Sequence, residues 1–399
     1  MNVSGVIANI NEGGEAYSQW IRHALTRCAR QGRKVDVLFG SSIDEPTDLL
    51  RALIEEGFRT PITDRYQSPF VGGNPAVVTH LCARYGVEPE QVLCTTGATA
   101  ALALVYKTYL NTGDRVLVET PGFDLFADLA LAQGAGVDVF ERAAPNYGLD
   151  LEAVERAMTD RTRVIVVSNL HNPSGTLIGD EVLADLARLA ERRGALLVVD
   201  EVYGDYADKS ARPGAACRLG DAVLSINSMT KIYGLSTVRC GWVVGAADLI
   251  GAIRRVSDRF DFGVSKLGHA VAALVLDHQA EFDARAQAGV AAGRDAMARA
   301  LEAWEAEGLA SAVMPDFGCI VFPQIHGIAD TAAFSDWLAD EMGVIVAPGE
   351  FFGAPGFVRI GFAMPADALT AALDRFAEGV RTYRALDTAP SAESLRTAS

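Results

Sequence analysis

Five apolar runs constrain this chain more than any other feature: QVLCTTG (91–97), RVLVETPG (115–122), TRVIVVSN (162–169), ALLVVDEVY (195–203) and AVLSINS (222–228). Each is hydrophobic almost without interruption, the pattern of a strand covered on both faces, not of one with a wet side. Between them lie segments of helical periodicity, ATAALALVYKTYL (98–110), 151–159 and DEVLADLARLAERRG (180–194), the last with Asp180 as its expected N-cap. Such alternation predicts an α/β fold, a mostly parallel central sheet with helices on both faces. Upstream, 15–31 reads as a helix with Ala16, Trp20, Ile21, Ala24 and Leu25 on one side, 35–47 as a loop, and 48–57 and 77–86 as helices, the second ending at Gly86. From about 265 the pattern shifts. Long helical segments (266–286 and 293–308) precede short strands, CIVFPQI (319–325) and FVRIGFA (357–363), which predicts a smaller α+β domain. The expected division is 1–47 as an N-terminal arm and part of the small domain, 48–265 as the large domain, 266–384 as the small domain, and 385–399 as a disordered tail without periodicity.

Charge and cysteine usage narrow the partners. With 399 residues and a formal net charge of -16, the surface repels phosphate backbones and anionic lipid heads, so neither nucleic acid nor membrane is the expected partner. Six cysteines are scattered without a CxxC pair, which points away from zinc or a redox dithiol and toward small buried hydrophobes in a reducing compartment. No run approaches the ~20 apolar residues of a membrane span, and the first twenty residues lack a basic region followed by an apolar stretch; the expectation is a cytoplasmic protein.

The chemistry-bearing residues cluster just past the strand ends, where open α/β sheets bind ligands. Ser228-Met-Thr-Lys231 follows the strand AVLSIN, and Arg239 comes eight positions after the lysine. A hydroxyl, an amine and a guanidinium at one sheet edge suit a phosphorylated aldehyde, the amine forming a Schiff base and the others binding phosphate. Asp200 closes the strand LLVVD and precedes Tyr203. A carboxylate there can pair with a protonated pyridine nitrogen, although a helix cap or magnesium ligand is the plainer reading. Asn172, in Asn-Pro-Ser-Gly, and Tyr203 can donate to a ring hydroxyl, and the same motif also reads as a turn. His171 is assigned to loop packing. Gly97, Ala98 and Thr99 open a helix whose free amides form an anion site. Phe123 stands where an aromatic could stack on a flat ring, or simply belong to the core. Arg359 lies inside an apolar strand and needs a partner, either a substrate carboxylate or a structural acid.

Taken in order, the glycine turn, the aromatic, Asn-Pro, Asp-x-x-Tyr, Ser-x-x-Lys, Arg-x-Gly and the C-terminal arginine resemble the fold-type I pyridoxal-phosphate enzymes, specifically class I/II aminotransferases of the aspartate aminotransferase superfamily. The resemblance runs from about Tyr66 to Arg359. It implies pyridoxal 5'-phosphate as cofactor and Lys231 as the Schiff-base lysine and proton shuttle. It further implies Asp200 at the pyridine nitrogen, Asn172 and Tyr203 at the ring oxygen, and Ser228, Arg239, Ala98 and Thr99 at phosphate. Phe123 would stack on the ring and Arg359 would bind the substrate α-carboxylate. Tyr66 resembles the tyrosine that reaches a neighbouring subunit's phosphate, which implies a homodimer with shared sites. Three departures stand out: Thr237 where a glycine is usual, Cys240 where an aliphatic residue is usual, and the segment Leu38-Phe-Gly40-Ser-Ser-Ile-Asp-Glu-Pro46 where a Gly-x-Pro-Asp sequence lines the substrate pocket. Gly40 is the expected substrate-binding position in it. The implied activity is transfer of an amino group between an L-amino acid and a 2-oxo acid. The alternative on the same scaffold is a lyase or cyclase, like carbon–sulfur lyases or capreomycidine synthases.

Overall fold

The computed structural model describes residues 17–30, 32, 35–59, 65–66, 72–212, 214–261 and 263–388. Seven strands form one sheet: β1 Val92–Thr95, β2 Arg115–Thr120, β3 Gly136–Glu141, β4 Thr162–Ser168, β5 Leu196–Asp200, β6 Val223–Ser228 and β7 Gly241–Val244. Their spatial order is β1-β7-β6-β5-β4-β2-β3. Only β7 is reversed, running antiparallel to both β1 and β6. Successive side chains explain the uninterrupted apolar runs. Val116, Val118, Val164, Val166 and Val198 pack under helices Ala98–Tyr109, Leu125–Ala132 and Ala247–Phe260. Their neighbours Leu117, Ile165, Val167, Leu197 and Val199 face helices Leu151–Ala157 and Asp180–Arg192. Period-two alternation therefore places apolar groups on both faces, as the sequence predicts for a doubly covered sheet.

The C-terminal third holds short strands and long helices. Val358–Gly361 lies between Ile320–Val321 and Ala347–Pro348. The N-terminal segment joins this part of the molecule: Asp36–Val37 pairs with Val344–Ile345, Leu38 N donates to Ile345 O at 2.8 Å, and Gly361 N donates to Leu38 O at 2.6 Å. A Cβ at Gly361 would fall 1.6 Å from Gly40 O, so the two backbones meet only because residue 361 has no side chain.

Several elements differ from the sequence reading. The segment 35–47 is not wholly loop, since Asp36–Val37 is paired. Helix Leu125–Ala132 and strand β3 were not anticipated; β3 is an edge strand with a mixed burial pattern, so it carries no continuous apolar run. β7 is only four residues long and follows directly on the Lys231–Arg239 motif. The first helix, Tyr17–Arg30, buries Trp20, Ala24 and Cys28 and leaves Leu25 38% exposed, a stripe one position off the expected one; Ala16 lies outside the described residues. The N-cap of Asp180–Arg192 is Gly179, and Asp180 takes the first helical position, where its charge still suits the helix dipole. The expected helix 266–286 breaks at His278 into Lys266–Asp277 and Gln279–Ala306. CIVFPQI splits at Pro323, which has no N–H to donate, into Ile320–Val321 and Gln324–Ile325 in separate sheets. Helix Ala366–Thr388 runs into the segment expected to be a tail, whose remainder lies outside the described residues. Among the described residues no helix is long and apolar enough to cross a membrane.

Candidate active site

Parallel strands end on one edge of the sheet, and the chemistry gathers there. Register places Ser168 beside Asp200 on β4 and β5, while Ser228 on β6 faces Gly241 on β7. Above this edge lies a cavity of ≈ 410 Å³. Lys231, Asp200, Asn172 and Tyr203 line it, as do Gly97, Ala98, Thr99, Phe123, Ser228, Arg239, Gly40 and Arg359. Of the cofactor- and substrate-binding candidates named from the sequence, Tyr66 is the one that lies away from it. Tyr66 is 36% exposed, with Phe58 at 6.3 Å and the Lys266 ammonium 4.3 Å from its ring centre.

One end of the cavity suits an anion. Gly97 has φ +94° and caps helix Ala98–Tyr109; a Cβ there would come 2.6 Å from Arg239 Nη2. Arg239 Nη2 donates to Thr96 O at 2.9 Å and Nη1 to Ser236 O at 3.4 Å, which holds the guanidinium over the helix start. Arg239 itself sits at φ +52°, an unusual backbone for a residue with a side chain. A fixed cation beside free helix amides makes a strong phosphate cradle. Ser228 caps the short helix Met229–Ile232 that carries Lys231, its Oγ accepting from Thr230 N at 3.4 Å.

The middle of the cavity holds the titratable pair. Lys231 Nζ donates to Ser41 Oγ at 2.9 Å and lies 5.9 Å from the Tyr203 ring centre. Desolvation, then the charge of Arg359, lowers the Lys231 amine to about 8. Burial pushes the Asp200 carboxyl up to about 7, against the Val202 N–H that donates to it at 3.1 Å. Phe123 stands beside them and meets Phe126 edge-on at 5.7 Å.

At the far end, Arg359 is 2% exposed. Its Nη1 donates to Asn172 Oδ1 at 2.9 Å, and its Nη2 to Tyr17 Oη at 2.6 Å and Phe39 O at 3.1 Å. Nε has no partner, and among the described residues no carboxylate lies within ion-pair distance. No described acid therefore fills the structural role, and Asp124 feels the Arg359 charge only without an ion pair. A buried guanidinium with neutral acceptors and a free N–H suits a carboxylate ligand. Because Asn172 Oδ1 is taken by Arg359, its amide nitrogen is the group left for another acceptor. Behind Asn172 runs a fully buried chain: Asn172 N donates to Ser168 Oγ at 2.9 Å, Ser168 N and Oγ both donate to Glu119, and Glu119 pairs with Arg142 at 3.0 Å. His171 packs as expected, its ring between Ser174 Oγ at 2.7 Å and Pro121 O at 2.9 Å.

Sequence reasoning missed Tyr17, Ser41 and Asp124, all in the cavity wall. Ser41 lay within the segment already noted as unusual. Tyr17 carried no signal beyond the amphipathic helix it starts, and Asp124 none beyond its place after Phe123.

A doubly wound sheet with a lysine, a carboxylate and an anion-suited helix start at its carboxyl edge is the architecture of an α/β enzyme. The chain belongs to the family "Aminotransferase class I and II", which it matches over residues 36–376. It is similar to a capreomycidine synthase from Streptomyces vinaceus, 30% identical over 78% of this chain and 80% of that protein. It is also similar to an arginine–pyruvate transaminase from Pseudomonas aeruginosa, 29% identical over 91% and 95%. The solved aspartate aminotransferase of Thermus thermophilus with maleate superposes with a TM-score of 0.82 at 25% identity, covering 95% of this chain and all of that one. The protein is an aminotransferase, an enzyme that moves an amino group between an amino acid and a 2-oxo acid.

Proposed function

We propose that this enzyme works with pyridoxal 5'-phosphate anchored on Lys231, and that it transfers the amino group of an L-amino acid to a 2-oxo acid. The observation that carries the assignment is a buried lysine just past the carboxyl end of a strand, in the same cavity as a buried arginine that pairs with no carboxylate among the described residues. The donor set fits the cofactor. Gly97, the amides of Ala98 and Thr99, Arg239 and Ser228 suit its phosphate. A carboxyl held near 7 by burial suits a cationic pyridine N–H, whose charge would offset the cost of leaving Asp200 ionised. Asn172 and Tyr203 suit the ring oxygen, and Phe123 the ring face. When bound, the cofactor supplies the electron sink that makes the α-carbon proton of an amino acid removable.

The chain's own groups do the rest. Lys231 Nζ, largely neutral only above about pH 8 in the free protein, accepts the α-proton and later returns it. Arg359 binds the α-carboxylate and fixes which α-carbon bond faces the ring. Its charge is the second cause of the lowered lysine. A bound carboxylate neutralises that charge, so substrate arrival raises the basicity of Nζ as a base is needed. Ser41 holds Nζ in place through its hydroxyl. Tyr66, exposed and away from this chain's cavity, is assigned to a neighbouring subunit's phosphate in a homodimer.

The test is a panel of amino acids added to cofactor-loaded protein without any oxo acid. Stoichiometric release of one 2-oxo acid per site, followed by arrest, is the expected result. Many turnovers to ammonia, sulfide or a cyclised product would replace transamination with the lyase or cyclase chemistry that the likeness to capreomycidine synthase keeps in view.

A further inference from the structure

Among the described residues, five charged side chains line the cavity: Asp124, Asp200, Lys231, Arg239 and Arg359. On the aminotransferase reading, on which this inference rests, four of them are committed to cofactor and α-carboxylate. Asp124 is left over. Its carboxylate accepts from Leu125 N at 2.9 Å and from the Tyr17 backbone N–H, and among the described residues no cation lies within ion-pair distance. Both donors are neutral, and burial, then the charge of Asp128, raises the group to about 6 against these hydrogen bonds and the more distant charge of Arg359.

A helix cap does not account for it. Asp124 caps Leu125–Ala132, a role that serine, threonine or asparagine performs as well without a buried charge. The unpaired carboxylate is explained by a cation that arrives with the ligand. The wall around it is suited to a methylene stem: Ile21, Leu102, Leu125 and Leu129 line the same cavity. Among the described residues that line the cavity, no arginine or lysine is left for the distal carboxylate of an acidic amino acid.

We infer that Asp124 makes the site selective for amino acids whose side chain ends in a cation, guanidinium or ammonium, with Arg359 at the α-carboxylate and Asp124 at the side-chain cation. The arginine–pyruvate transaminase among the relatives acts on a substrate of this class.

The test uses cofactor-loaded Lys231→Ala protein, in which recognition is read without turnover. Calorimetric affinities are compared for L-arginine against L-citrulline, its neutral isostere, and for L-lysine against L-norleucine. The cationic member of each pair is expected to bind about tenfold tighter or more. Asp124→Asn, or Asp124→Ser if that variant fails to fold, keeps a cap and is expected to bring both ratios to about 1 without weakening norleucine. Citrulline binding as well as arginine, neither pair binding, or a preference that survives loss of the carboxylate overturns the inference. If the preference holds but wild-type protein releases no 2-oxo acid from arginine or lysine, the transamination reading fails and the selectivity stands.

Discussion

The two ends of the cavity are built differently. The cofactor end is assembled from residues at successive strand ends, Asp200, Ser228, Lys231 and the Gly97 turn, so each is fixed by the sheet itself. The substrate end is assembled from distant segments: Tyr17 from the first helix, Phe39–Ser42 from the segment after β-pairing with 344–345, Asp124 from a loop, and Arg359 from a C-terminal strand. The contrast teaches where change is tolerated. On the proposed function, sheet register sets the chemistry at the first end, whereas packing between far parts of the chain sets specificity at the second.

Substitutions sharpen the comparison. The largest effect is expected at the cofactor end: Asp200→Asn keeps the shape but cannot stabilise a pyridinium, and kcat should fall by about a thousandfold with weaker cofactor retention, read by steady-state kinetics and dialysis. Arg359→Gln should lower kcat/KM by about a hundredfold, mainly through KM, while leaving cofactor retention intact. Loss of cofactor in that variant would break the division between the two ends. Glu119→Gln is expected to raise KM about tenfold and lower thermal stability, because Glu119 positions Ser168 and Asn172 and pairs with the buried Arg142. A stability loss with unchanged KM would make that chain purely structural. The smallest effect is in pH. Since the amine must be neutral to react, capture of pyridoxal phosphate by cofactor-free protein should speed up as pH rises toward about 8 and level off above it, followed by stopped-flow absorbance.

The same contrast governs what the sequence discloses. Strands covered on both faces write themselves as apolar runs, and a polar group that closes a strand or follows it by up to four residues is visible at once; Asp200 and Ser228 are of the first kind, Asn172 and Lys231 of the second. Edge strand β3 and four-residue β7 escape because half-burial and brevity erase the pattern. Tyr17 and Asp124 escape for another reason. Nothing local to either residue tells that a helix start and a loop more than a hundred positions apart meet over one cavity. Arg359 is intermediate: the strand FVRIGFA betrays a buried cation, and only the three-dimensional arrangement shows that among the described residues no acid pairs with it.

The central claim is that Lys231 holds the cofactor. The most direct measurement is borohydride reduction of the cofactor-loaded protein, followed by proteolysis and mass spectrometry of the modified peptide. The account predicts a single phosphopyridoxyl adduct on Lys231, absent in Lys231→Ala. An adduct on another lysine, or none in protein that retains the cofactor, contradicts it.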